Sequence, residues 1–160
     1  MLPSSFWSRG RFGAISVALA VLLTPGFAIH PAHAADDLIL INVSEAMTTP
    51  EYRQKLDSSV TFYFGNSPHP AVAQTYGERV TNRKTNGFAK PAGEACRHVL
   101  LSALIALQNE AKSLGGNAVV NIKSYFRKNE VSNDQQAECY KGFLIASVAL
   151  KGDIVKLAGN

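Results

Sequence analysis

Cys96 and His98 are the residues in this chain that most readily do chemistry. A thiolate beside an imidazole begins either a nucleophilic pair or a metal-ligand set. Their spacing argues against both. Two residues on a helix subtend about 200° around its axis, so the side chains leave on opposite sides and share neither a proton nor an ion. His69 reaches them only through a tertiary contact that no local pattern predicts. The reading is a histidine on a helix surface, with no catalytic residue, metal or cofactor. The second constellation is cationic. Arg79, Arg83, Lys84, Lys90 and Arg97 offer a patch to an anionic ligand or an acidic partner, and Tyr76 and Phe88 nearby add stacking or apolar contact. The plainer reading is a solvated strand face whose charges protect a sheet edge. On a strand, Arg79 and Arg83 share one face and Lys84 points to the other.

These residues are positioned by the stretch from Pro91 to Phe126. Cys96, Leu100, Ala103, Leu107, Ala111 and Leu114 recur at steps of three and four, which predicts a helix. Leu101, Leu104 and Ile105 add a second stripe, so the helix is covered on more than one side. Gly115 and Gly116 end it, since glycine enters the left-handed cap without a Cβ clash. Asn117–Phe126 then reads as a strand, with Ala118, Val120, Ile122 and Phe126 on one face and Asn121 and Lys123 on the other.

Residues 1–34 read as a secretory signal peptide. Arg9 and Arg11 form a basic start, Phe12–Leu23 is an apolar run, and Ala32-His33-Ala34 is a small-x-small cleavage box. The run is short for a bilayer span, and no cysteine follows it for a lipid anchor. Cleavage near Ala34 leaves an exported, periplasmic chain without an integral membrane segment. The leader carries two of the 16 basic residues and none of the 12 acids, so the net charge falls from +4 to 14 − 12 = +2. That is too little to argue for nucleic acid. Cys96 and Cys139 both lie in the exported part, where two cysteines pair. The helix from Cys96 to Gly115 rises about 29 Å and the following strand returns about as far, which brings Cys139 back to the helix start.

Around this unit, Leu38–Val43 reads as a short edge strand. Thr48 or Thr49 caps a short helix through Leu56, with Pro50 in its first turn and Glu51 completing a capping box from Thr48. Val60–Phe64 is β-branched and aromatic, hence a strand, and Gly65–Pro70 is a turn. Ala73–Lys84 is a strand with a bulge at Gly77, and strand–helix–strand gives a βαβ crossover with the strands parallel. Arg127–Glu138 is an exposed hairpin loop, and Cys139–Leu150 is a last strand, apolar on both faces and therefore central. The fold class is α+β, one domain with a small mixed sheet (a βαββ core), one long helix and one disulfide. The divisions are 1–34 leader, 35–59 extension, 60–152 domain and 153–160 tail.

The run A-C-R-x-x-x-L-S-A-L-x-A-L-x-x-x-A-x-x-L-G-G-N-A-V-V-N-I-K-S-Y, followed by E-C-Y-K-G and V-A-L-K-G, resembles a family of small exported bacterial proteins commonly labelled as excinuclease subunits. More distantly it is similar to the YbjQ-type domain and to the Rcs envelope-stress sensor lipoprotein. The resemblance covers about residues 60–152. In that sensor a cysteine at the helix start is bridged to one opening the last strand, positions held here by Cys96 and Cys139. YbjQ-type domains form rings, so the resemblance also implies self-association. Excinuclease activity is not expected, because the chain has neither a G-x-x-x-x-G-K-[ST] phosphate loop nor clustered cysteines for zinc. The expected function is a non-enzymatic periplasmic binding or interaction module in envelope homeostasis or stress sensing, acting on an envelope protein or on itself. The alternative is a metal- or small-anion-binding protein.

Overall fold

The central helix forms where its periodicity puts it. A computed structural model describes residues 36–159, and the expected leader lies outside the described residues. Helix α3 spans Ala92–Leu114. Both apolar stripes are buried, from Cys96, Leu100 and Leu107 on the first to Leu101 and Leu104 on the second. Gly115 takes a left-handed φ of 78°. There the N–H of Gly116 donates to the Ala111 carbonyl at 2.8 Å and that of Gly115 to Lys112 at 3.2 Å, so the last carbonyls are satisfied.

The helix packs on a six-stranded sheet. The strands are β1 (Asp37–Asn42), β2 (Thr61–Phe64), β3 (Val72–Asn86), β4 (Ala118–Ser124), β5 (Gln136–Lys141) and β6 (Ile145–Leu157). Their order is β1-β5-β6-β4-β2, with β3 also on β6. Leu150 pairs with Thr81 of β3 and with Ser124 of β4, so β3 occupies one edge of β6 while β5 and β4 follow one another along the other. The fold is α+β, as composition and pattern predict. A Cys96–Cys139 disulfide joins the start of α3 to β5, with Cα atoms 5.7 Å apart and both residues fully buried.

Four expectations change in detail. First, β3 and β4 run in the same direction, but β6 is inserted between them, antiparallel to each. The parallel neighbour of β4 is β2, with Thr61 opposite Ala118 and Phe62 opposite Val119. Second, the single strand read over Cys139–Leu150 is a hairpin, β5 and β6 joined through Gly142, Phe143 and Leu144, with the Gly142 N–H donating to Ile145 O at 2.8 Å. Third, β6 continues past Gly152 to Leu157, so most of the supposed tail belongs to the sheet. Fourth, alternation breaks in β4. Asn121 has a φ of 54°, and the register shifts between Val120 and Lys123. One extra residue reverses which face the following side chains take. Ile122 therefore joins Val119 in the main core, while Ala118 and Val120 pack with Val155 and Leu157 in a second, smaller cluster.

The bulge expected at Gly77 is present as a register shift between Thr75 and Gly77, where φ is 93°. Two short helices precede the sheet's second strand, α1 (Val43–Met47) and α2 (Pro50–Lys55). Asn42 caps α1 by accepting from the Glu45 N–H at 3.1 Å. The capping box expected from Thr48 does not form. Thr48 and Thr49 donate instead to the Glu45 and Ala46 carbonyls, closing the end of α1. Of the expected extension, Ile41, Val43, Ala46 and Tyr52 lie in the same core as α3.

Candidate functional site

The cysteines are spent on the brace, so neither is available as a nucleophile or ligand. His98 is exposed on α3, its Nδ1 3.2 Å from Glu51 Oε1 on α2. His69 lies elsewhere, its Nδ1 2.8 Å from the Pro70 carbonyl and its ring edge-on to Tyr63. Among the described residues, no three His, Cys, Asp or Glu side chains gather as a metal site.

The five basic residues fall into separate surroundings. Arg79 donates from Nε to Glu110 Oε1 of α3 at 2.9 Å. Arg83, opposite Val148, points to the helix side of β3 with Arg79, and Lys84, opposite Ser147, points to the other face, the division that strand alternation predicts. Lys90 and Arg97 line a depression of about 260 Å³ together with Glu51, Glu94 and His98. Acids and bases meet there in one place, which lowers its pull on a free anion.

A larger open groove of about 620 Å³ runs between α2 and β2, lined by Met47, Tyr52, Leu56, Asp57, Val60 and Phe62 among others. At its rim the Lys112 ammonium donates to Asp57 Oδ2 at 2.6 Å, and Ser59 donates to Asp57 Oδ1 from both its hydroxyl and its N–H. The Lys112 bond, then those from Ser59, lower the Asp57 pKa from 3.8 to about 2. A depressed carboxylate adds stability that is fully present above its unfolded pKa and is lost as pH falls through the folded one. Carbon-detected NMR of the Asp57 carboxyl is expected to show a midpoint near 2. In Lys112→Met it should move up toward the ordinary carboxylate range.

On the sheet face away from α3, Lys151 sits between Glu130 Oε1 at 2.5 Å and Glu78 Oε2 at 2.9 Å, while Lys123 reaches Glu130 Oε2 at 3.1 Å. Asn121 donates to Asp153 Oδ2 at 2.8 Å beside them. Glu130, then Glu78, raise the Lys151 pKa, and Lys151 with Lys123 lowers that of Glu130. These charges satisfy one another across β3, β4 and β6 and act as a surface clasp.

One feature escaped the sequence reading. The β5–β6 turn projects Phe143 and Leu144, which are 75 % and 58 % exposed, beside Phe88 and Ile145 at 52 % and 48 %. Phe88 and Phe143 meet edge to face with ring centroids 5.4 Å apart. Lys84 lines a shallow hollow there with Leu144 and Ile145. The signal available in one dimension was Lys141-Gly142, a turn-forming glycine between two β-prone runs.

Compared with protein-family models, with curated proteins and with solved structures, the chain matches none.

Proposed function

We propose that the chain is an exported, non-enzymatic binding module of the periplasm that works in envelope homeostasis or stress sensing by pairing with a protein partner or with itself. The observation that carries this reading is the outer edge of β3. This strand spans Val72–Asn86 and, among the described residues, pairs along one side only, with β6. Its register is unbroken from Gly77 to Asn86. A long unpaired edge is a template for strand addition, in which main-chain hydrogen bonds supply affinity and alternate side chains supply selectivity. Arg83 and Lys84, exposed on the two faces of that strand, suit an acidic extended segment. The buried disulfide fits the oxidising compartment that the leader implies. The resemblance to the YbjQ-type domain and to the Rcs sensor points the same way.

Light scattering on the mature chain, with affinity purification from envelope extracts, tests the reading. A defined oligomer or one specific envelope protein is expected, weakened by Arg83→Glu with Lys84→Glu. A strict monomer that retains no envelope protein would overturn it. The alternative, a metal- or small-anion-binding protein, has its best location at Lys90, Arg97 and His98. Calorimetry with zinc and with inorganic phosphate decides it, and micromolar binding lost in His98→Ala or Arg97→Ala would favour it.

A further inference from the structure

We propose that the apolar end of the hairpin, Phe88, Phe143, Leu144 and Ile145, is a docking surface for an anionic phospholipid bilayer. The backbone that carries them is tied together, and two of the four side chains meet each other. The Gly87 N–H donates to Leu144 O at 2.8 Å, tying the loop after β3 to the β5–β6 turn, and the two phenylalanine rings lock edge to face. Ordering them costs little on binding.

The shape selects the occupant. The apolar atoms project from a turn and line no deep groove. Four side chains present roughly a few hundred Å², well under the ~800 Å² per partner that a stable protein pair buries. A fluid bilayer accepts a convex tip without a matching cavity, and each methylene placed among acyl chains strengthens binding about fourfold.

Charge completes the match. Lys84 shares the hollow with Leu144 and Ile145, the Lys141 ammonium donates to Gly142 O at 3.0 Å, and Lys90 follows in the loop, facing Glu51 and Glu94 on its other side. Two carboxylates also lie at this end. Asp37 stands opposite Lys141 in the β1–β5 register, and Asp36 is drawn toward Arg127 at 3.7 Å. Arg127 and Lys90 are thus offset by acids, but Lys84 and Lys141 form no salt bridge among the described residues, and this pair beside the apolar tip is what an anionic headgroup layer meets.

The inference deepens the reading of an envelope binding module and shares only Lys84 with the β3 edge; Phe143 and Leu144 lie outside that strand, so their variant tests the tip alone. Its test is flotation of the mature chain with vesicles of phosphatidylglycerol and phosphatidylcholine against pure phosphatidylcholine. Association with the anionic vesicles is expected, falling about tenfold or more in Phe143→Ser with Leu144→Ser and about fivefold or more in Lys84→Glu, with circular dichroism unchanged. The chain's one tryptophan, Trp7, lies in the leader, so Phe143→Trp in the mature chain is a lone reporter whose emission should shift to the blue on anionic vesicles. Equal flotation of parent and variants, no shift in emission, or retention only by lipopolysaccharide or by a captured protein would overturn the proposal. A tip that ignores vesicles while the chain keeps its oligomer or protein partner defeats this inference alone.

Discussion

Replacing Cys96 and Cys139 together by alanine is expected to destabilise the fold by about 4 kcal/mol, before any relief of native strain. The bridge spans 43 residues of chain, including all of α3 beyond its first turn, β4 and the polar loop. Releasing it returns that loop's closure entropy to the unfolded ensemble. For a domain of this size the loss corresponds to a fall in Tm of roughly 15 °C. Calorimetric scans of the oxidised chain and the double variant measure it. Either single substitution breaks the same cross-link, so each should cost about as much as the pair. Both sulfurs are fully buried, so reductant should act on the parent only at the rate at which it opens. A double variant that melts within about a degree of the parent would show the bridge to be ornamental.

Tyr52→Ala is expected to cost about 3–5 kcal/mol, an effect comparable to the disulfide. Tyr52 is 1 % exposed, and its hydroxyl donates to the Arg97 carbonyl at 2.6 Å, in the first turns of α3. Burial of the ring, before any nearby charge, raises its pKa, so the phenol stays a donor throughout the physiological range. The ring fastens α2 to the main core, and truncation both leaves a cavity and removes the second donor to the Arg97 carbonyl, which keeps its bond within α3. Tyr52→Phe separates the two contributions and should cost only about 1 kcal/mol. Urea unfolding monitored by circular dichroism compares them. If Tyr52→Ala unfolded with an unchanged midpoint, α1 and α2 would be appendages, contrary to their burial against α3.

What could be read in one dimension follows from how local each cause is. The helix over Ala92–Leu114 and its stop at Gly115 follow from a repeat of 3.6 residues and a glycine, both local. The cysteine pairing was also legible, because two lengths of regular structure return the chain to its start. The hairpin was hidden: Phe143, Leu144 and Ile145 continue an apolar run, and only Gly142 marks the turn. The bulge at Asn121 depends on one residue adopting a positive φ, which asparagine permits but does not announce. Helix α1 had a readable sign in Asn42 followed three residues later by Glu45. The separation of Arg79 from Lys90 and Arg97 had little, because Glu110 and Glu51 meet them only through tertiary packing; Glu94 alone, three residues before Arg97 on α3, is a local neighbour. The exposed tip is likewise a matter of where the core ends, which pattern alone does not report.

The placement of β6 has a consequence for the order of assembly. This strand holds β3, β4 and β5 together, with Val72 opposite Leu157 and Asn86 opposite Ile145, and it is the last in chain order of the six described strands. Before β6 is made, β1 can pair with β5 and β2 with β4, but β3 has no strand to pair with. Such distant pairings make closure slow. A nascent chain of this topology therefore cannot join its strands into one sheet until β6 has emerged, because β3 and the two earlier pairs are linked only through that strand.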